Sequence, residues 1–156
     1  MEWLCGAFAG GVIGLGSALI VTEYTSRRER QRRKRDFARS LQTEISLATQ
    51  GLKDIVKTLE ASNRAAGLKR VAGPALTRDV YSGCIGDLAL LDSETRFSVQ
   101  NLYACVDDVE FFVNELSLRW TQLGTHDKVF LRDRILERAK LGLTRANELL
   151  PRLQKV

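Results

Sequence analysis

Residues 92–124 read DSETRFSVQNLYACVDDVEFFVNELSLRWTQLG, and this stretch indicates the fold class most clearly. Its apolar residues recur at intervals of three and four, the spacing of a helix that buries one face. Asp92 is a suitable N-cap with Glu94 in the first turn, and Gly124 is a suitable C-terminal stop. We therefore expect one long helix whose buried seam is Val99, Leu102, Val106, Val109, Val113, Leu116, Trp120 and Leu123.

Two more seams lie on either side of this helix. The first begins after Phe37 and consists of Leu41, Ile45, Ala48, Leu52, Ile55 and Leu59. The second follows Thr125 and Asp127, either of which can cap the last helix, and consists of Leu136, Ala139, Leu143, Ala146, Leu150 and Leu153. Residues 62–76 predict a loop and residues 77–90 a shorter helix. No strand pattern competes, so residues 37–156 are predicted to form an antiparallel helical bundle.

Residues 3–22 (WLCGAFAGGVIGLGSALIVT) contain no charge over twenty positions. A helix of that length spans about 30 Å, the thickness of the hydrocarbon core of a bilayer. Trp3 and Tyr24 stand where interfacial aromatic residues lie. A signal peptide would need a basic segment first, and a buried soluble helix would have to accommodate five glycines. The sequence therefore predicts a transmembrane anchor over residues 1–24.

The positive charge of the chain is concentrated in residues 27–35 (RRERQRRKR). The chain carries a net charge of +5 and this stretch alone carries +6, so the remainder sums to −1. Basic residues after a span hold that side in the cytoplasm and attract anionic lipid headgroups. Nucleic acid is the less favoured ligand because no aromatic residue interleaves the block to stack on bases. In the juxtamembrane segment 25–36, the predicted headgroup ligands are Arg27, Arg28, Arg30, Arg32, Arg33, Lys34 and Arg35.

Small residues recur inside the predicted span. Gly6, Gly10 and Gly14 are four apart, and Ala18 continues the row. This spacing puts them on one face, where the backbone of another helix can approach closely. A dinucleotide-binding loop is excluded because no strand precedes the glycines and Leu19 stands where the third glycine belongs. We expect this glycine zipper to mediate self-association.

The composition offers few candidates for catalytic or metal-binding residues. The chain has one histidine, His126, which excludes most histidine-based metal sites and argues against a catalytic triad. Cys5, Cys84 and Cys105 have no C-x-x-C spacing, a pattern that suits a reducing cytosol. Cys84 and Cys105 are therefore expected to be small buried residues, and no reactive thiol is predicted.

The acidic residues of the long helix are the remaining candidates for a metal site. Asp108 and Glu115 are seven apart and share a face, with Asp107 and Glu110 beside them. The Glu-x-x-His motifs that complete a di-metal site in a helical bundle are absent. We expect a solvated acidic surface, no metal, no cofactor and no enzymatic activity.

One pair of residues resembles a nuclease motif. Arg119 and His126 form an Arg-x6-His spacing near the end of the predicted helix, which is similar to the motif of HEPN ribonucleases. The resemblance implies an arginine that stabilises phosphate charge and a histidine that acts on the 2′-hydroxyl or the leaving oxygen. The chain departs from that family at Trp120, where a polar residue is expected.

Two broader resemblances concern architecture. The stretch 80–91, followed by a helix that carries Leu102 and Tyr103, is similar to small uncharacterised microbial and prophage proteins with one N-terminal span. The layout of one span before a cytosolic helical domain also resembles CRISPR-accessory and other antiphage membrane effectors that assemble into pores. The first resemblance implies a helical fold, and the second implies self-assembly in microbial defence.

These predictions combine into one functional hypothesis. An all-α chain, with an N-terminal transmembrane helix followed by an antiparallel cytosolic helical bundle, self-assembles in the inner (cytoplasmic) membrane as a pore-like or effector complex. Its partners are further copies of itself and anionic membrane lipids. Only Ser17 and Thr22 are polar in the span, which argues against a wide aqueous pore. The alternative is a membrane-tethered adaptor whose bundle docks a cytosolic protein partner, and the remote alternative is the HEPN-like nuclease.

Overall fold

The computed structural model describes the backbone of residues 2–61, 76 and 78–156, and the side chains from residue 23 onward within those ranges. The described parts contain helices and no strand, so the predicted all-α class is confirmed. In chain order the elements are α1 (Glu2–Ala61), α2 (Asp79–Gly83), a 3₁₀ helix (Ile85–Leu90), α3 (Ser93–Leu118) and α4 (Thr125–Leu153). The chain divides into two compact units, Met1–Asp36 and Phe37–Val156.

The membrane span and the loop fall outside this description. Among the residues whose side chains the structure describes, no helix is long and apolar enough to cross a membrane. The predicted span, residues 3–22, lies outside the described side chains. Most of the predicted loop, residues 62–75, lies outside the described residues as well. The anchor and the loop therefore stay predictions.

Helix α1 carries the first seam. Its sequence has no proline, and the helix continues from Glu2 to Ala61 without interruption. The predicted seam is confirmed, because each of its members is at most 2% exposed: Leu41, Ile45, Ala48, Leu52, Ile55 and Leu59. The second half of α1 thus supplies one wall of the core of the second unit.

Helix α3 begins where the sequence predicts and ends earlier. The Asp92 carboxylate accepts a hydrogen bond from the Thr95 backbone N–H at 2.8 Å, the geometry of an N-cap. The helix ends at Leu118, so the last two members of the predicted seam lie beyond it. Trp120 is 37% exposed, whereas Leu123 is partly buried and packs against the core. Gly124 is not the stop of α3. It is the N-cap residue of α4 instead, and neither Thr125 nor Asp127 caps that helix.

Half of the predicted α4 seam is confirmed, because Ala139, Ala146 and Leu153 are buried, and at the other three positions the buried residue is the preceding one. Ile135, Gly142 and Leu149 are buried, whereas Leu136, Leu143 and Leu150 are only partly buried. The reason is Gly142, where an added Cβ would lie 2.9 Å from Leu52 Cδ1 and 3.5 Å from Cys105 Cβ. A hydrophobicity pattern treats glycine as neutral, although here its missing side chain allows α4 to approach both α1 and α3.

Helix α4 runs antiparallel to both other long helices of the bundle. Against α3, Arg152 pairs with Glu94 and Arg138 pairs with Asp108, so the two sequences run in opposite directions. Against α1, the order is also reversed. Arg132 donates to the Leu59 carbonyl at 2.8 Å, while Gly142 faces Leu52.

Helices α1 and α3 run in the same direction, which corrects the prediction of an antiparallel bundle. One apolar cluster joins residues 37–45 of α1, 99–103 of α3 and 146–153 of α4. The other joins residues 52–59 of α1, 106–116 of α3 and 135–139 of α4. The numbers rise together in α1 and α3 and fall in α4. A parallel pair of this kind needs a crossover connection along its whole length.

Residues 78–91, which we call the return segment, make this connection. The preceding Leu76 belongs to the second apolar cluster, and Leu88 and Leu91 belong to the first. The segment contains α2 and the 3₁₀ helix where one helix is predicted, and the two are separated at Cys84. Gly83 and Gly86 both fall in this short region, which weakens a continuous helix.

Candidate functional site

The basic segment, residues 27–35, lies on α1 within the first unit. All its basic side chains are exposed except Lys34, which is partly exposed. Arg27 pairs with Glu23 at 2.6 Å, and the Arg28 guanidinium lies 5.8 Å from the centre of the Tyr24 ring. The other basic residues form no ion pair with any residue that the structure describes: Arg30, Arg32, Arg33, Lys34 and Arg35. Their charges are therefore available to an external anion.

The charges of the basic segment surround the helix. Successive helical residues are rotated by about 100°, so the widest gap that the seven basic positions leave around the helix is about 100°. Glu29 and Asp36 both fall in that gap. The segment is thus a collar of positive charge with a narrow acidic side, rather than a basic stripe on one face.

The predicted self-association residues lie outside the described side chains. They are Gly6, Gly10, Gly14 and Ala18. The structure gives a helical backbone over this range and describes none of its side-chain surroundings. The contact face of the glycine zipper therefore stays a prediction.

Arg119 and His126 lie at the ends of two different helices. Arg119 is the C-cap residue of α3, and His126 is the second residue of α4. The Arg119 Nε lies 3.3 Å from Glu115 Oε2, so its charge is already compensated by a neighbouring carboxylate. His126 is exposed. A site built on the two would need a substrate phosphate to compete with Glu115.

The acidic residues of α3 are paired rather than only solvated. Arg78 of the return segment contacts Asp107 and lies 2.5 Å from Glu110. Arg138 of α4 lies 3.4 Å from Asp108. The expectation of a purely solvated acidic surface is therefore corrected, because arginines on two neighbouring elements neutralise it. Among the described residues, no three potential ligands cluster closely enough to hold a metal ion.

A buried polar network that the sequence analysis missed is centred on Glu44. This carboxylate is 4% exposed and accepts hydrogen bonds from the backbone N–H groups of Val80 at 2.5 Å and Tyr81 at 3.1 Å. It also accepts a hydrogen bond from the Tyr103 hydroxyl. The rings of Tyr81 and Tyr103 stack at 4.1 Å. Burial, together with the hydrogen bond to Glu44, raises the pKa of Tyr103 far above its usual value. The network fixes the return segment against α1 and α3.

Cys105 is a buried residue of the bundle rather than a reactive thiol. Burial raises the pKa of Cys105, and the charge of Arg145 opposes this effect only in part. The Arg145 guanidinium donates to the Asn101 carbonyl at 2.6 Å and lies 3.1 Å from the Cys105 Sγ. The contact ties α4 to α3, and its chemistry is structural.

No protein-family model, curated protein or solved structure matches this chain. The resemblances to HEPN ribonucleases, to prophage proteins and to antiphage effectors therefore stay predictions from the sequence.

Proposed function

We propose that this chain is a single-pass membrane protein that self-assembles through its glycine zipper and helical bundle. In this proposal residues 3–22 lie in the inner membrane, the basic segment lies among the cytoplasmic headgroups, and Phe37–Val156 is cytosolic. The observation that carries the proposal is the collar of positive charge that follows twenty uncharged positions on one helix.

The distribution of charge around the collar supports a helix that crosses the headgroup layer. A helix that lies flat on a membrane presents its basic residues on one face and its apolar residues on the other. A helix that passes through the headgroups meets phosphates on every side. The basic segment matches the second case, and each basic residue near an anionic surface contributes about 1 kcal/mol of attraction.

Self-assembly is supported by the row Gly6, Gly10, Gly14 and Ala18 in the same helix. Such rows allow close contact between helices in lipid. A pore formed in this way would gather basic collars at its cytoplasmic mouth and favour anions. An effector role in microbial defence rests on the likeness of architecture alone.

A tethered adaptor is the second candidate, and the turn between α3 and α4 favours it. Trp120 is 37% exposed in this turn, and Val129 and Phe130, in the first two turns of α4, are each 50% exposed. Apolar side chains at one end of a domain form a suitable contact for a partner protein. In this candidate the anchor serves only to localise the bundle.

The mass of the full chain in mild detergent, measured by light scattering with correction for bound detergent, separates these proposals. Self-assembly predicts a particle of at least two chains that persists on dilution. A monomer would contradict the assembly and leave the adaptor.

Gln substitution of Arg30, Arg32, Arg33, Lys34 and Arg35 should reduce binding to vesicles that contain anionic lipid. The same number of Gln substitutions at basic positions in the bundle should leave that binding unchanged.

A further inference from the structure

The return segment, residues 78–91, has few buried side chains for a segment that crosses the bundle. Helix α2 buries none of its residues, and the 3₁₀ helix buries only Leu88. Leu91, which follows, is also buried. By contrast, α3 buries nine residues and α4 buries six. Apolar packing therefore holds the return segment less strongly than it holds these two helices.

The polar attachment of the segment is concentrated at one end, which we call the clasp (residues 78–81 and their partners). Helix α2 has no capping side chain of its own, because its N-cap residue Arg78 forms no such hydrogen bond. Glu44 of α1 takes this role and accepts the backbone N–H groups of Val80 and Tyr81. Arg78 adds two ion pairs to acidic residues of α3. A short helix thus depends on another element for its cap.

The groups of the clasp can be hydrated when the segment leaves. The Arg78 side chain is already 35% exposed, and its two acidic partners are 51% and 39% exposed. Ion pairs of this kind exchange for water at little cost. Glu44 keeps the Tyr103 hydroxyl as a donor, because Tyr103 lies on α3 and not on the return segment. Opening therefore leaves no buried carboxylate without a partner.

The long helices also have contacts with one another that do not include the return segment. Gly142 brings α4 close to Leu52 of α1 and to Cys105 of α3. Arg145 of α4 donates to the Asn101 carbonyl of α3 at 2.6 Å. These contacts can persist when the segment is displaced.

We propose that the return segment is a strap that opens as one unit while α1, α3 and α4 stay folded. It releases the clasp and turns about Leu91 and Asp92, two extended residues between the 3₁₀ helix and α3. In the closed state Glu44 and Tyr103 are 4% and 1% exposed, and opening gives solvent access to both. This conformational device goes beyond the proposed function and does not depend on it.

Native-state hydrogen exchange of the full chain in mild detergent, followed by mass spectrometry of peptic fragments, measures the opening. The exchange of α2, the 3₁₀ helix, α3 and α4 is compared after correction for the intrinsic rate of each sequence. We expect the amides of α2 and the 3₁₀ helix to exchange at least about 100-fold faster than those in the middle of α3.

Two substitutions distinguish opening of the segment from unfolding of the whole bundle. Glu44→Gln weakens the clasp and should accelerate exchange in both short helices by at least about fivefold. Ile135→Val removes a methyl group from the second apolar cluster, which contains no residue of the return segment. It should accelerate exchange in the middle of α3 and α4 about fivefold and change exchange in the return segment by less than about twofold.

Two results would overturn the inference. Equal acceleration of the return segment and the long helices by Ile135→Val would show that the segment opens only when the whole bundle unfolds. Acceleration by Glu44→Gln that is confined to α2 would show that one short helix frays and that the segment does not open as a unit.

Discussion

Glu44 is the residue that holds the return segment in place. Its buried carboxylate accepts two backbone N–H groups of that segment and the Tyr103 hydroxyl. A buried acceptor with three donors stabilises the fold, and the donors lose their partner when it is removed. The contact therefore couples three elements that are far apart in sequence.

Glu44→Gln should lower the free energy of unfolding by about 1–3 kcal/mol, because an amide offers one acceptor oxygen and directs its NH₂ group at the remaining donors. Thermal unfolding of the full chain in mild detergent, followed by circular dichroism, measures the change. The matched control is Glu60→Gln. Glu60 is exposed and pairs with Lys140, so its loss should cost less than about 1 kcal/mol. Equal effects of the two substitutions would show that Glu44 is not a buried acceptor.

Gly142 allows a close approach between α4 and its neighbours. In Gly142→Ala the gain in helix propensity, about 1 kcal/mol, opposes an overpacking cost of about 1–3 kcal/mol, because the new Cβ would meet Leu52. We expect net destabilisation that Leu52→Val partly reverses. A double-mutant cycle on the unfolding free energy measures this coupling. Strictly additive effects would place Leu52 away from Gly142.

These residues show why the apolar seams could be predicted from the sequence and the tertiary contacts of Glu44 and Gly142 could not. The α1 seam follows from apolar spacing alone, and each of its members is buried. Glu44 is a charged residue in an amphipathic helix, and its donors lie 36, 37 and 59 positions further along the chain. Only the tertiary arrangement of α1, α3 and the return segment brings them together.

At the scale of the element, Asp92 starts α3. The hydrogen bond from the Thr95 backbone N–H is the main reason that the pKa of Asp92 lies below its usual value of 3.8. A lowered pKa in the folded chain means that the carboxylate stabilises the fold above pH 3.8 and that this contribution is lost as the pH falls through the folded pKa.

Asp92→Ala should therefore cost about 1 kcal/mol of unfolding free energy at pH 7, and the difference from wild type should shrink below pH 3.8. Asp92→Asn, which can still accept the capping hydrogen bond, should retain most of the stability at both pH values. Chemical unfolding at each pH gives the three free energies. A cost for Asp92→Ala that stays the same at low pH would contradict the charged cap.

Assembly in the membrane is also a property of one element. Gly10→Leu should disrupt self-association, because its side chain would fill the groove where the partner backbone is expected. Gly11→Leu adds the same bulk about 100° around the helix, off the glycine row. Crosslinking in native membranes should give oligomers for wild type and Gly11→Leu, and fewer for Gly10→Leu. Equal yields in all three would remove the glycine zipper as the contact.

The ends of the elements were predicted less well than their interiors. The cap at Asp92 could be predicted because its partner is three residues away. The end of α3 could not, because Trp120 and Leu123 continue the apolar spacing beyond Leu118. Gly124 suits either a helix stop or a helix start, and spacing alone does not distinguish the two.

At the scale of the whole molecule, the direction of the helices was the feature that the sequence could not supply. Apolar seams give helices and faces but carry no information on parallel or antiparallel pairing. The connection of about thirty residues between α1 and α3 is long enough to return along the bundle, and the return segment does so. The all-α class followed from periodicity, whereas this topology follows from Glu44, Arg78 and the two apolar clusters.

The proposed function also belongs to this scale. A basic collar among headgroups and a glycine zipper in the span would give the assembly two separate contacts at the membrane. Each contact is weak by itself, and together they act through high effective concentration on one membrane. The assembly is therefore expected to depend on the anchor.

The most direct test of the central claim is the accessibility of a tag placed after Val156 to protease, on both sides of the membrane. With residues 3–22 as an anchor and the basic collar on the cytoplasmic side, protease added to spheroplasts should spare the tag. Protease added to inverted membrane vesicles should remove it, and the chain should stay in the membrane after alkaline extraction. Digestion of the tag in intact spheroplasts, or release of the chain by alkaline extraction, would contradict the account.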